Sequence, residues 1–206
     1  MSEKVLRVPR TKAQARASYD RVSRSYDLFA GAFEKRLRNV ALARALSCAT
    51  CRSRRRGSRV CGIDLSPGMQ EVSRRRLERK GLSDSVVLHC GDAAKLPFVA
   101  GSFDHVFMSF ALELFDTPEI PVVLGEIKRV LKPGGRLGVV SLSRGDGTPL
   151  ILQLYEWLHR RLPQVIDCRP IYVERALLEA GFRIGHTEIE TLWGVPARIV
   201  VSDKQI

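Results

Sequence analysis

The ten residues from Val60 to Met69 read Val-Cys-Gly-Ile-Asp-Leu-Ser-Pro-Gly-Met and constrain the fold more than any other stretch. Residues 60–63 are apolar and β-rich, which predicts a short buried strand, and Asp64 follows where such a strand leaves its sheet. Ser66 and Pro67 predict the start of a helix, because serine caps helix N-termini and proline fits the first helical position. A strand that ends in an acid and turns into a helix is typical of open α/β sheets, where ligands bind at the carboxyl ends of the strands.

Asp64 has two interpretations at this stage. A carboxylate at a strand end can accept two hydrogen bonds from the neighbouring hydroxyls of a ribose. The alternative is that Asp64 only helps to cap the following helix. The spacing alone leaves both interpretations open.

Strand and helix patterns alternate along the rest of the chain, which predicts an α/β fold with a doubly wound, mostly parallel sheet. The predicted strands are 60–63, 85–90, 103–110, 136–142, 182–191 and 197–202, and the predicted helices are 17–30, 33–46, 68–80, 118–131, 149–162 and 172–180. The last two strands are expected to form an antiparallel hairpin around a turn at 193–196. Since crossovers are right-handed, Asp64, Asp92 and Ser109 should converge at one edge of the sheet.

Composition restricts the class of protein further. A chain of 206 residues that is 45% hydrophobic can bury a proper core, and one domain is expected. No apolar run of about 18 residues predicts a membrane span, and the first residues have no secretory h-region. Cys61 and Cys90 lie in predicted strands, where buried free thiols are common, and this suits a reducing cytoplasm. The lone Cys48-x-x-Cys51 pair lacks the partner ligands of a zinc site, so no metal is expected.

The net charge of +12 raises the possibility of a nucleic-acid partner. Five of the basic residues are arginines within 52–59, where no aromatic side chains are interleaved to stack on bases. This distribution favours no specific nucleic-acid site, although binding through the arginine block stays a third function class.

The N-terminal region is expected to be helical only from residue 17, with residues 1–16 basic and loose. Tyr19, Val22 and Tyr26 recur at helical spacing on one stripe. The two tyrosines either pack against a neighbouring helix or include one that closes over a ligand.

Residues 60–143 resemble the class I S-adenosylmethionine-dependent methyltransferases, in particular the ubiquinone/menaquinone-type (UbiE-like) group. Four motifs in order and spacing carry this resemblance. They are Gly62-Ile63-Asp64-Leu65-Ser66-Pro67-Gly68-Met69, Gly91-Asp92-Ala93 with Leu96-Pro97-Phe98, Ser102-Phe103-Asp104, and Arg129-Val130-Leu131-Lys132-Pro133-Gly134-Gly135. The Tyr19-Asp20 and Tyr26-Asp27 pairs resemble the same group.

The resemblance implies a Rossmann-like fold, S-adenosylmethionine as cofactor and a small-molecule methyl acceptor. Asp64 would hold both ribose hydroxyls, with Leu65 and Met69 beside the adenosine. Asp92 would accept a hydrogen bond from the adenine amino group, and the Ala93 N–H would meet the ring.

Ser109 and Phe110 would line the floor between the cofactor and the acceptor. The sulfonium methyl is already activated, so a general base is needed only if the acceptor must lose a proton. His105, Tyr26 and Tyr172 are possible bases, and nothing in the sequence selects among them.

One part of the family pattern is absent. The family places a strand and a glycine-rich loop ahead of the central strand, whereas too few residues lie between Leu46 and Asp64 for a strand, a loop and a helix. Residues 47–59 carry an Arg/Cys/Ser-rich block instead. Such a break is typical of a deletion or a reading-frame fault, or of a natural chain that has lost the element.

We therefore expect a helical cap at 1–46, an irregular segment at 47–59 and a methyltransferase-like domain at 60–206. The expected function is methyl transfer to a small molecule, impaired in this chain for want of the glycine loop. The alternative is a non-catalytic remnant or binding protein that keeps the fold without the chemistry.

Overall fold

The computed structural model describes residues 7–8, 10–23, 37, 39–40, 42–43, 60–145, 150–161, 168–192 and 194–205. Its helices are α1 (Lys12–Val22), α2 (Pro67–Arg79), α3 (Ile120–Val130), α4 (Leu150–Arg161) and α5 (Val173–Glu179). Its strands are β1 (Val60–Asp64), β2 (Val86–Cys90), β3 (Phe103–Ser109), β4 (Leu131–Leu142), β5 (Phe182–Leu192) and β6 (Val195–Lys204). Tyr26, Cys48, Cys51 and the arginines of 52–59 lie outside the described residues.

The strands form two sheets. β1 and β2 pair in parallel as one sheet, and the other has the order β3-β4-β6-β5. In the larger sheet β3 and β4 are parallel, whereas β6 runs antiparallel to both β4 and β5. The predicted α/β class and antiparallel C-terminal hairpin are thus confirmed. Within the described residues, no strand pairs with the second edge of β1 or of β3.

Helices cover both faces of the larger sheet, as in a doubly wound fold. Val139 and Val140 point to opposite faces of β4 and both are 0% exposed. The Val139 face packs against α3 and α5, through Ile127 and Leu177. The Val140 face packs against Leu37 and α4.

β1 and β3 are less buried than their sequences predict. β4 has a strand on each side, and most of its residues are buried. β1 has one neighbour, and its Val60 is 53% exposed. Only Met108 is buried in β3. Cys61 and Cys90 are free thiols and both are exposed, so the expectation of buried thiols was wrong.

Helix α1 begins at Lys12, five residues before the predicted start. Thr11 caps it: its hydroxyl accepts a hydrogen bond from the N–H of Gln14, and the Gln14 side chain accepts one from the N–H of Thr11. This reciprocal pair is a capping box, which fixes the first turn of a helix. The expectation of a loose segment up to residue 16 was wrong, because this capping signal outweighs the polar composition.

The C-terminal hairpin turns more tightly than predicted. Leu192 pairs with Val195, so Val195 and Pro196 belong to β6 rather than to the turn. Gly194 adopts a φ of +81°, which other residues rarely accept. In the part of the chain that the structure describes, no helix has the length and apolarity that a membrane crossing requires.

Candidate functional site

Asp64 is the last residue of β1 and lies where the chain turns into α2. Its Oδ1 accepts a hydrogen bond from the N–H of Ser66 at 2.7 Å, while its residue surface remains open to water. Nearby protein atoms displace part of the water around the carboxylate and raise its pKa, and the negative charge of Asp20 adds to this. Among the described contacts, Oδ2 has no partner, so one oxygen is available to a ligand.

Asp20 joins α1 to the first turn of α2. Its Oδ1 accepts hydrogen bonds from the Ser66 hydroxyl at 2.6 Å and from the Gly68 N–H at 2.9 Å. These two bonds lower the pKa of Asp20, the hydroxyl contributing more. A carboxylate at a helix N-terminus also interacts favourably with the helix dipole.

Gly68 makes this approach possible. A Cβ on Gly68 would lie 2.9 Å from the Ser23 Oγ and 3.1 Å from the Asp20 Cα. The second contact is with backbone, which cannot rotate away. Glycine at position 68 therefore lets α1 lie directly against the start of α2.

Asp92 follows β2 and holds a tight turn. Its Oδ1 accepts from the Ala94 N–H at 2.9 Å, and its Oδ2 accepts from the Lys12 ammonium at 2.6 Å. The Lys12 ammonium also lies 2.9 Å from Glu119 Oε1. Burial lowers the pKa of Lys12, but its hydrogen bonds to Asp92 and Glu119 outweigh this and the pKa is raised.

The N-terminal segment spans the carboxyl ends of both sheets. Arg7 donates to both oxygens of Asp116, through Nε at 2.8 Å and Nη2 at 2.6 Å, and the Val8 N–H adds a third bond at 3.1 Å. The Arg7 guanidinium is the main reason that the pKa of Asp116 falls to about 2. Residues 7–23, which we call the N-terminal strap, thus contact segments that follow β1, β2 and β3.

Ser109 ends β3, and Phe110 follows it in a strained conformation. Phe110 is buried, has a φ of +50° and donates its N–H to Val140 O at 2.8 Å. Left-handed backbone in a bulky residue is uncommon and persists only where its surroundings enforce it.

A buried polar network holds the turn after Phe110. Glu113 is 0% exposed and accepts from the Leu142 N–H at 3.2 Å. Arg169, also 0% exposed, donates to Phe115 O and to Thr117 Oγ1. Burial lowers the pKa of Arg169 to about 10. The sequence analysis identified neither residue, because a single acid or a single arginine gives no periodic signal.

The predicted site residues fall into two groups. Asp64, Leu65, Met69, Asp92 and Ala93 lie together at the carboxyl end of the β1–β2 sheet, where the turn after β2 uses the N–H groups of Ala94 and Lys95 but not that of Ala93. Ser109 lies at the carboxyl end of the other sheet, as the last residue of β3.

The structure does not select a general base. His105 is half-buried in β3, where burial lowers its pKa despite the nearby charge of Asp104. Tyr172 is half-buried immediately before α5. The third candidate, Tyr26, is not among the described residues.

Sequence reasoning missed Lys12 altogether, and it noted Asp20 only as part of the Tyr19-Asp20 pair, without a role. The Thr11-x-x-Gln14 capping box would have located the helix that carries both. Their partners lie 80 and 48 residues further along the chain, and no local pattern reveals such contacts.

Comparison with known proteins connects this geometry to a family. The sequence profile of the methyltransferase domain family matches residues 42–139. A demethylmenaquinone methyltransferase of Parafrankia sp. is 35% identical over 184 residues, covering 74% of this chain and 72% of that protein.

Two further relatives match over shorter stretches. A demethylmenaquinone methyltransferase of Symbiobacterium thermophilum is 43% identical over 86 residues, and a ubiquinone/menaquinone biosynthesis C-methyltransferase of Rhizobium johnstonii is 38% identical over 103 residues. These matches cover 42% and 50% of this chain, but only 34% and 39% of the relatives.

Solved structures share the fold at low identity. The [4+2]-cyclase SpnF superposes with a TM-score of 0.71 at 19% identity, covering 98% of both chains. A methyltransferase of Methanosarcina mazei superposes with a TM-score of 0.59 at 19% identity, covering 73% of this chain and 84% of its own. At this identity the likeness establishes a Rossmann-like methyltransferase fold, and the cyclase illustrates that the fold alone does not fix the chemistry.

The alignment with the Parafrankia protein includes residues that this chain lacks. It runs over 184 residues but takes in only 74% of a chain of 206, so part of the Parafrankia protein has no counterpart here. The alignments of 86 and 103 residues cover 42% and 50% of the chain, so their lengths match the stretches of this chain that they cover.

Proposed function

The chain belongs to the S-adenosylmethionine-dependent methyltransferases of the ubiquinone/menaquinone type, and we propose that it transfers the methyl group to a small molecule with low efficiency. The observation that carries this proposal is the cluster at the end of the β1–β2 sheet, where Asp64 keeps one carboxylate oxygen available beside the start of α2. Within the described residues, β1 and β3 each have one edge without a strand partner, and this supports the low efficiency.

The residues present fit the adenosine half of the cofactor. Asp64 Oδ2 is free to accept from the ribose hydroxyls, and buried Met69 provides an apolar surface in the first turn of α2. The described hydrogen bonds of the turn after β2 do not use the Ala93 N–H, which can therefore donate to the adenine ring. Asp92 can accept from the adenine amino group, since each carboxylate oxygen has two lone pairs and Lys12 occupies only one of them.

The methionine half has no comparable support among the described residues. When bound, the cofactor supplies a sulfonium methyl that is already electrophilic, so the protein's task is to orient it and to exclude water. On the β3 side, the floor of the proposed site is formed by Phe110 and by the turn after it, which buried Glu113 and Arg169 hold in place. No glycine-rich loop precedes β1 in the described part of the chain, so among the described residues the methyl group would have support only from the β3 side.

The acceptor that we infer is an isoprenoid-quinone precursor methylated at carbon. The names of the relatives support this, because they are demethylmenaquinone methyltransferases and ubiquinone/menaquinone C-methyltransferases. The chain covers less than half of two of these three proteins. The acceptor class accordingly rests on the relatives' names, and the chain's own residues support only the cofactor half.

A second candidate is a non-catalytic protein of the same fold that binds the nucleoside half alone. The observation that favours it is the split between the two sheets, which separates Ser109 from the Asp64–Asp92 cluster. The two candidates differ in turnover rather than in nucleoside affinity.

Two ligands that differ only in the base test the proposed orientation. In S-inosylhomocysteine a carbonyl replaces the adenine amino group, so position 6 of the base cannot donate to Asp92 and presents an acceptor instead. We expect the parent chain to bind S-adenosylhomocysteine more tightly than S-inosylhomocysteine in isothermal titration, and Asp92→Ala to remove most of that difference. Equal affinities in the parent would contradict the placement of adenine at Asp92. Slow methyl transfer to demethylmenaquinone then separates the enzyme from the binding protein.

A further inference from the structure

Helix α1 is fixed near both of its ends to the segments that carry the predicted adenosine contacts. Toward its C-terminal end, Asp20 is bonded to the first turn of α2, which follows Asp64. At its first residue, the Lys12 ammonium lies 2.6 Å from Asp92 Oδ2. A helix rises about 12 Å over eight residues. Helix α1 therefore runs between the Asp64 side and the Asp92 side of the β1–β2 sheet.

The Lys12 ammonium lies between two carboxylates from separate parts of the molecule. Asp92 follows β2 of the smaller sheet, whereas Glu119 stands immediately before α3, in the segment after β3 of the larger sheet. The ammonium is 2.6 Å from Asp92 Oδ2 and 2.9 Å from Glu119 Oε1. Among the described contacts, it is the only cation at either carboxylate. The charge of Asp92 is thus compensated by a residue that lies 80 positions away in the sequence.

Lys12 and a backbone N–H each hold one oxygen of Asp92. Oδ1 accepts from the Ala94 N–H at 2.9 Å, and Oδ2 accepts from Lys12. The terminal torsion of an aspartate has broad energy wells, so its partners decide how the carboxylate plane lies. Each oxygen keeps a second lone pair, and 29% of the Asp92 side chain is still exposed. The carboxylate is therefore fixed in orientation and can still accept a hydrogen bond from a ligand.

Anchoring of the N-terminal strap does not by itself explain the contact of Lys12. Arg7 already binds the strap to the turn before α3, through both oxygens of Asp116. Glu119 belongs to that same turn, since its N–H donates to Asp116 O at 2.8 Å. Ion pairs between partly exposed side chains contribute little to stability, and the Lys12 side chain is 36% exposed. What Lys12 adds to the Arg7 contact is its hold on Asp92.

We propose that Lys12 is a positioning residue for the base of the cofactor, because it holds the Asp92 carboxylate where the adenine amino group can donate to it. This role rests on the proposed function, since it requires adenine to lie at Asp92. Removal of the ammonium would free the carboxylate plane and leave Asp92 and Glu119 as like charges with no cation between them, and their repulsion would disturb the orientation further. The effect of Lys12 on binding therefore depends on the amino group of the base.

Two ligands that differ only at this amino group separate the proposed role from a structural one. One is S-adenosylhomocysteine, and the other is its analogue with hydrogen in place of the adenine amino group, which has nothing to donate to Asp92. In isothermal titration of the whole chain, we expect Lys12→Met to weaken S-adenosylhomocysteine binding by about two- to tenfold and to leave binding of the analogue unchanged. A loss of affinity that is no larger for S-adenosylhomocysteine than for the analogue would overturn the proposal.

Arg7→Met is the matched control, because it removes the ion pair that ties the strap to Asp116 and leaves the contact of Lys12 with Asp92 in place. Thermal melts establish that both variants are folded. We expect Arg7→Met to keep the parent's preference for S-adenosylhomocysteine over the analogue. If Arg7→Met loses that preference as far as Lys12→Met does, any loosening of the strap has this effect and the proposal fails.

Asp92→Ala distinguishes failure of this role from failure of the proposed function. The parent should prefer S-adenosylhomocysteine to the analogue, and Asp92→Ala should remove both that preference and the selective effect of Lys12→Met. If the parent shows no preference, adenine does not lie at Asp92, and the proposed placement fails together with the role of Lys12. If Asp92→Ala removes the preference but Lys12→Met leaves it intact, the placement stands and the role of Lys12 alone is wrong.

Discussion

Asp64 is the residue on which we expect cofactor binding to depend most. Its carboxylate has one oxygen on the Ser66 N–H and one oxygen open, in surroundings that raise its pKa. We expect Asp64→Ala to weaken S-adenosylhomocysteine binding by about 2–3 kcal/mol, because a pair of charge-assisted hydrogen bonds is lost. Isothermal titration measures this, with Asp84→Ala, an exposed acid before β2, as the control. Unchanged affinity in Asp64→Ala would show that this acid only caps α2.

At the scale of elements, Gly68 decides whether α1 can lie on α2. In Gly68→Ala the new methyl group would meet the Asp20 backbone at 3.1 Å, and we expect a loss of about 1–3 kcal/mol in the free energy of unfolding. Gly125→Ala, in α3 with nothing within 4 Å, should instead stabilise the chain by about 0.5–1 kcal/mol. Urea unfolding compares the two variants. A Gly68→Ala chain as stable as the parent would mean that Asp20 does not fix the strap.

Glu126 connects α3 to the segment between the two sheets and should make stability depend on pH. It accepts from Arg129 at 2.7 and 2.8 Å and from the Leu96 N–H at 2.8 Å, and Arg129 in turn donates to Phe98 O. Arg129 is the main reason that the pKa of Glu126 falls to about 2. Its stabilising contribution is therefore complete above the ordinary glutamate pKa of about 4.3 and is lost as the pH falls toward 2.

Melting temperatures between pH 6 and pH 2 measure this dependence. We expect the parent to lose its stability advantage over Glu126→Gln across that range. The control is Glu78→Gln, an exposed residue of α2 whose side chain has no partner among the described contacts. A constant difference between the parent and Glu126→Gln at every pH would contradict the assignment.

Local chemistry made most of the elements predictable. Ser66 and Pro67 mark the start of α2, and the apolar stripe of α3 forms its buried side. Gly181 follows shortly after the end of α5. Contacts between distant residues were not predictable, because nothing near Lys12 or Asp20 in the sequence indicates Asp92 or Gly68. The exposure of β1 was also missed, since the strand's own residues are apolar and its missing neighbour decides how far it is buried.

At the scale of the whole molecule, few residues separate Leu46 from Asp64 in the sequence, and the described strands form a sheet in two parts. Too few residues lie there for a further strand, a loop and a helix, and the described strands form two sheets in which β1 and β3 each have one neighbour. The N-terminal strap and Phe98 keep the two parts together, through contacts with both. The fold thus persists, while the described residues provide no backbone support on the methionine side of the proposed site.

Methyl transfer by a restored chain tests this account most directly. A strand, a glycine-rich loop and a helix are inserted between Leu46 and Val60, and thermal melts establish that the restored and parent chains are folded. Transfer of labelled methyl from S-adenosylmethionine to demethylmenaquinone is then timed in both. We expect the restored chain to be faster by on the order of a hundredfold, because a misplacement of about 1 Å can cost that much. Equal turnover in the two chains would contradict the account.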